Sequence, residues 1–468
     1  MEKFPDNNPD ERLGTIKRFE RMLKSGNIEF LEVTSFLLLI DHYSSIDEYE
    51  RAISVAKIGI KQHPYATELL LEFAHLYYET LCYEESLEVL NKGLLYSPSD
   101  TELQALKGQV LLHLDRFDEA IEILENVHHF TDNSAEIYHN LGLCYFGKKQ
   151  NEKAVEYFKK ALQSSQSDDE AFGDLLTVLE SLDLLDETIP FYEEYIDKDP
   201  FDFKAWSNFG ILHERLGNLE DAIKAYEYAL AINEDYHPAL FNLGCCYLST
   251  DQIGKSIECF TKVKQHDTWK DGLVYINLGH CYFELGDYVE SKKNYQKAVK
   301  FDSNNYMAYF GVGRCLEKEE QWLQAIHHLQ KASELFPFDV NVWLVLSRTE
   351  YQMGNVISAL EALEHSADIE PDIPEIWLNW SYMVCEQGDY TKALELLEQG
   401  IDVLPEEASL YYRAVVYLIK SSKYKEAFLY LENALTLDFE KHTELFEFFP
   451  ELETQKALMK IIDQFKDV

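Results

Sequence analysis

A thiol, an imidazole and two guanidiniums are the residues here most able to do chemistry. Cys245, His280, Arg314 and Arg348 follow one another at intervals of 35, 34 and 34 residues. A cysteine beside a histidine and cations can be activated as a thiolate nucleophile. Catalysis would also need an oxyanion donor and a carboxylate to orient the imidazole, and neither is apparent beside them. Packing in a groove accounts for all four, so no catalytic residue is assigned. The doublets His128-His129 and His327-His328 have no acidic or cysteine partners at ligand spacing and read as surface or loop histidines. None of the eight cysteines forms a CxxC pair, so no metal site is assigned. No phosphate loop, zinc-protease helix or serine-hydrolase elbow occurs, so no cofactor is expected. Gly311-Val-Gly313 falls inside a predicted helix and is a repeat feature, not a phosphate cradle.

The regular spacing of those four residues belongs to the whole chain. Small or apolar residues recur at Ile40, Ala74, Gly108, Gly142, Leu176, Gly210, Gly244, Gly279, Gly313, Ser347, Ser381 and Val415, and ten of the eleven intervals are 34 residues. Twelve residues further on, a second column is small throughout: Ala52, Ser86, Ala120, Ala154, Thr188, Ala222, Ser256, Ser291, Ala325, Ala359, Ala393 and Ala427. Such a period is the mark of a solenoid whose unit is one helix pair that cannot bury its apolar face alone. The paired small columns mark where helix A of each unit meets helix B. Six units end in proline, at Pro64, Pro98, Pro200, Pro337, Pro371 and Pro405, which stops helix B before the next unit begins.

Large side chains complete the pattern, and with them Trp206-Ser-Asn-Phe-Gly210, Gly217-Asn-Leu-Glu-Asp-Ala222, Tyr226 and Ala229 resemble the tetratricopeptide repeat (TPR). About twelve such repeats span roughly residues 33 to 439. The resemblance implies an all-α, right-handed superhelical solenoid of helix-turn-helix repeats closed by helical caps. Residues 1–10 are expected to be disordered, 11–32 to form an N-terminal capping helix, 33–235 repeats 1–6, 236–439 repeats 7–12, and 440–468 C-terminal capping helices. Leu13, Ile16, Phe19 and Leu23 make one capping stripe, and Leu458, Ile461, Ile462 and Phe465 the other.

In relatives that bind extended peptides, helix A lines the concave face, and an asparagine two residues before the small column can bond the peptide backbone. Asn140, Asn208, Asn242, Asn277 and Asn379 hold that position, with Asp174 in repeat 5. An amide offers both donor and acceptor, which suits a peptide backbone of any sequence. Further along, Phe241, Ile276, Phe283, Phe310, Leu344, Tyr351, Leu378, Tyr382 and Tyr412 should line or border the groove, interleaved with Arg314, Arg348 and Arg413. Aromatic anchors with arginine are what interaction surfaces favour, and the arginines suit a carboxylate-bearing peptide unless Glu317 and Glu350 neutralise them. The lysine, asparagine and arginine set that clamps chaperone C-termini in this family is not intact.

The expected partner is therefore a protein or peptide. A net charge of -42 argues against nucleic acid and anionic membranes as partners. No stretch approaches a membrane span, the first residues do not resemble a signal peptide, and a cytoplasmic location is expected. Cys144, Cys246, Cys281 and Cys315 share one helix A position where a small buried residue is wanted, which suits free cysteine. Two other readings remain: self-assembly through the ends, where Leu445-Phe-Glu-Phe-Phe449 is aromatic, and a regulatory subunit of another enzyme. Two irregularities are expected to show in the structure. Pro190 falls inside helix B of repeat 5 and predicts a kink, and one extra residue between Gly244 and Gly279 lengthens the Gln265 to Gly272 linker.

Overall fold

The computed structural model describes residues 9–25, 29–127, 134–164, 169–265 and 272–466, which form helices and turns with no strand. His128, His129, the extra residue placed between Gln265 and Gly272, and residues 1–8 lie outside that description. Two compact units divide the chain, Met1–Glu234 and Asp235–Val468.

In the first unit, α1 (Pro9–Ser25) precedes six helix pairs. They are α2 (Val33–Ser44) with α3 (Tyr49–Gln62), α4 (Thr67–Glu79) with α5 (Tyr83–Tyr96), α6 (Thr101–His113) with α7 (Phe117–Val127), α8 (Ser134–Gly147) with α9 (Asn151–Ser164), α10 (Asp169–Ser181) with α11 (Ile189–Lys198), and α12 (Phe203–Arg215) with α13 (Leu219–Ile232). The second unit holds α14 (His237–Ser249) with α15 (Ile253–Lys264), α16 (Gly272–Glu284) with α17 (Tyr288–Phe301), α18 (Tyr306–Lys318) with α19 (Trp322–Leu335), α20 (Val340–Gln352) with α21 (Val356–Ile369), α22 (Pro374–Glu386) with α23 (Tyr390–Val403), and α24 (Ala408–Lys420) with α25 (Tyr424–Leu437). It ends in α26 (Glu444–Phe448) and α27 (Lys456–Phe465). Within each unit most helices pack on their successors, and first helices of neighbouring pairs touch, as α2 touches α4 and α16 touches α18. Each unit is thus an all-α repeat solenoid.

The two small columns meet as their spacing predicts. A Cβ added at Gly142, Gly210 or Gly244 would lie 2.5, 2.6 or 2.9 Å from the rings of Phe158, Tyr226 and Phe260, so glycine is what lets helix A approach helix B. Where the second column is serine, its buried hydroxyl donates across the same contact: Ser86 to the carbonyl of Ala74, Ser256 to that of Gly244 and Ser291 to that of Gly279, at 2.7–2.8 Å. The unit-ending prolines also anchor the next helix. Indole N–H groups of Trp206, Trp343 and Trp377 donate to the carbonyls of Pro200, Pro337 and Pro371 at 2.8–3.0 Å, and the Tyr411 hydroxyl donates to Pro405 at 3.0 Å.

A third column exists that the sequence pattern did not announce. Every turn between the paired helices contains one residue with positive φ: Asp47, Leu81, Asp115, Lys149, Asp183, Gly217, Asp251, Gly286, Glu320, Gly354, Gly388 and Ser422. Its left-handed conformation lets the next amide reach back over the helix end, as the Cys82 N–H does to the Tyr77 carbonyl at 2.8 Å. Only four of the twelve are glycine, so eight carry a Cβ in a conformation that costs about 1–2 kcal/mol. Leu81, at φ 61°, is exposed and gains no burial in return. Leu81→Gly is therefore expected to raise stability by about 0.5–1 kcal/mol, read as a higher urea midpoint; an unchanged or lower midpoint would refute the strain at this turn.

Repeat 5 departs from expectation. Pro190 does not kink a helix interior: a 3₁₀ turn, Leu185–Thr188, precedes α11, and Pro190 stands in the first turn of that helix. A first-turn N–H has no intrahelical acceptor, so proline loses nothing there. The helix starts late in place of bending. At the ends, α1 buries Ile16, Phe19 and Met22 while Leu13 and Leu23 stay exposed, so Met22 takes the place expected of Leu23. Pro9 and Asp10, counted in the segment expected to be disordered, begin α1. In α27, Leu458 and Ile462 are buried.

Candidate functional site

The residues expected to line a groove lie mostly on the first helices of the second unit, and their neighbours decide which remain available. In repeats 9, 10 and 11 the side chain after the small-column residue meets the side chain four after the small column in the preceding repeat. The Arg314 guanidinium lies 4.0 Å from the Phe283 ring centroid and 5.6 Å from that of Phe310. Arg348 Nε donates to Glu317 Oε1 at 2.6 Å. The rings of Tyr351 and Tyr382 stand 6.3 Å apart at 60°. Arg314 and Phe283, Arg348 and Glu317, and Tyr382 and Tyr351 are each separated by 31 residues, an interval visible in the sequence but not singled out there.

This diagonal pairing sorts the candidates. Phe283 is buried beneath Arg314, and Leu344 and Tyr412 are also interior; the Tyr412 hydroxyl donates to the Asp438 carbonyl at 2.7 Å. Arg348 is committed to the buried Glu317. Among the described residues Glu350 pairs with no arginine: it accepts from Asn355 at 2.7 Å and Gln330 at 3.3 Å. Arg314 has no carboxylate partner among the described residues, and the two rings hold its charge on the helix A face by cation–π attraction.

The asparagines are not equivalent. Asn140 and Asn208, in the first unit, are buried. Asp174 accepts from His139 at 2.7 Å if Nε2 carries the proton. Asn242 and Asn277 are half-buried on α14 and α16, near Phe241 and Ile276 in sequence. Asn379 is half-buried on α22, with its amide 3.4 Å from Glu375.

At repeats 11 and 12 the same face is covered by the chain's own C-terminal segment. The Arg413 guanidinium lies 3.5 Å from the centroid of Phe448 in α26, whose ring stands 5.8 Å from Tyr382. Lys420 lies 4.6 Å from the Phe449 centroid, and Ser409 donates to Glu444 at 3.1 Å. Leu445 is fully buried. The aromatic segment considered for self-assembly is thus packed on its own repeats. Sequence reasoning missed this because residues 382, 413 and 448 share no local pattern.

The thiols are equally constrained. Burial pushes Cys144 up to about 12 and Cys315 up to about 11, and raises Cys281. Such thiols stay protonated and behave as small hydrophobes. Cys245 is half-buried, and His280 Nε2 stands 3.4 Å from Glu284 Oε1 in its own helix. Among the described residues no group of three or more histidine, cysteine, aspartate or glutamate side chains is arranged to hold a metal ion. Nor is any helix there long and apolar enough to cross a membrane.

Comparison with known proteins agrees with the repeat geometry. Family models described as tetratricopeptide repeat match residues 101–167, 203–236, 237–265 and 273–305. The chain is a tetratricopeptide-repeat protein. Among solved structures, it is similar to the APC/C hetero-tetramer Cut9-Hcn1 at 14% identity, covering 89% of this chain and 98% of that one with a TM-score of 0.41. YrrB, described as a TPR protein with an unusual peptide-binding site, matches at 23% identity over 40% of this chain and 95% of its own, with a TM-score of 0.34. MamA matches at 19% identity over 36% and 91%, with a TM-score of 0.33. No curated protein sequence matches.

Proposed function

We propose that this protein is a non-catalytic interaction scaffold that holds a protein or extended peptide against the helix A face of its second unit. The observation that carries the reading is Arg314: a guanidinium stacked on Phe283 and Phe310, without a carboxylate partner among the described residues, in a chain of net charge -42. An unpaired arginine held by aromatic rings favours a carboxylate on the incoming chain. Asn242 and Asn277, half-buried on the two preceding first helices, offer donors and acceptors to a peptide backbone. Repulsion from so acidic a chain disfavours nucleic acid as the ligand.

Tagged protein and an Arg314→Ala/Asn277→Ala variant should be compared in capture from native lysate, with helical content checked by circular dichroism. A partner retained by the parent and lost by the folded variant is the expected result. Partners held equally by both would remove this face from the binding reaction.

A further inference from the structure

A second surface of the second unit stands apart from the helix A face. In every repeat the residue two before the second small column is exposed. In the first unit that position is acidic in all six repeats: Glu50, Glu84, Asp118, Glu152, Asp186 and Glu220. The six repeats act as an internal control, because they show that the fold requires nothing apolar there. In repeats 8, 9 and 10 the same position holds Val289, Leu323 and Ile357, which are 55%, 72% and 75% exposed. Two turn residues, Leu285 and Met353, add exposed apolar surface beside them. Three consecutive second helices, α17, α19 and α21, therefore carry one aliphatic stripe in register.

Scattered apolar residues on a surface need no explanation, but aliphatic side chains exposed at one register in three successive repeats do. Burying an exposed aliphatic side chain of this size is worth about 1.5–3 kcal/mol, so a partner covering the stripe would gain substantially. Charge narrows that partner's identity. Exposed Glu284, Asp287, Glu320 and Glu361 flank the stripe in sequence, against the exposed cation Lys318. Lys292 and Lys293 are already paired with Glu319 and Glu290. A second copy of this chain would bring the same acidic border and be repelled.

We propose that Val289, Leu323 and Ile357, with Leu285 and Met353, form a docking stripe for a partner segment that presents aliphatic side chains between lysines or arginines. This surface is independent of the helix A face proposed above, and either can fail without the other. The edge of the repeats would then recruit a basic amphipathic segment while the helix A face holds its own ligand.

The test uses the full chain and two synthetic helical peptides of about 18 residues with identical leucine faces, one with lysines and one with glutamates on the polar face. Affinity is read by fluorescence anisotropy at physiological salt, for the parent and for Leu323→Gln/Ile357→Gln. Both substituted side chains are exposed, so the double variant should fold, which circular dichroism checks. The expected result is binding of the lysine peptide by the parent, weakened about tenfold or more in the double variant, with no binding of the glutamate peptide. Equal affinity in parent and variant would overturn the stripe and leave only diffuse charge attraction. Binding of both peptides, or of neither, would overturn the basic partner. A dimer in sedimentation that the double substitution abolishes would also overturn it, in favour of a second copy of this chain.

Discussion

Gly311→Ala is expected to destabilise the second unit by about 2 kcal/mol although alanine is the better helix former, because the added methyl has no place to go. Its Cβ would lie 2.4 Å from Cε1 and Cζ of Tyr295. That ring cannot move aside, since a Cβ at Gly279 would meet it at 2.9 Å, and it is buried. Tyr295 thus reaches into a space bounded by two glycines from successive first helices, α16 and α18. Gly173→Ala supplies the contrast: no atom lies within 4 Å of a Cβ there, and this change in α10 is expected to stabilise by up to about 1 kcal/mol. Urea denaturation of each variant reads the sign. Opposite signs support the tight packing of Tyr295; two stabilising substitutions would show that the ring relaxes freely. Because repeats can unfold in parts, hydrogen exchange of α16 to α18 should accompany the global measurement.

The second large effect concerns the diagonal pairing on the helix A face. Arg348→Ala leaves the Glu317 carboxylate, whose side chain is 8% exposed, without the guanidinium that now donates to it at 2.6 Å. Removing one partner of a buried charged hydrogen bond costs about 2–3 kcal/mol, more than an exposed ion pair is worth. Arg348→Ala combined with Glu317→Leu should recover most of that loss, since it is the orphaned charge that destabilises. If the double variant is as unstable as the single one, the cost lies in lost packing of the arginine stem instead. The same cycle bears on the proposed function: an arginine that is structural in this sense differs from Arg314, which has no carboxylate partner among the described residues.

Much of the fold was legible. A period of 34 residues and two columns of small side chains define the helix pair, because close approach of two helices permits little else at the contact. The buried cysteines at 144, 246, 281 and 315 followed from the same requirement. The column of left-handed turn residues was not legible, since leucine, lysine, aspartate, glutamate, serine and glycine all occupy it. There the turn is imposed by the two packed helices and the local residue merely tolerates it. Pro190 was misread for a related reason: its helix starts one turn later than those of its neighbours, so a position counted as interior became a first turn.

The candidate site was less legible than the fold. The sequence identified which residues fall on the first helices, and Arg314, Arg348 and Arg413 occupy them as their register requires. It did not say that Phe283 lies under Arg314, that Glu317 holds Arg348, or that Phe448 covers Arg413. Taken alone, the sequence determined a repeating helix pair, because each unit buries its apolar face only against the next and small residues recur wherever that burial needs room. Only the tertiary structure decided which side chains are left for a partner, because availability depends on what other repeats and the C-terminal segment lay across them, and those contacts join residues that no local pattern connects.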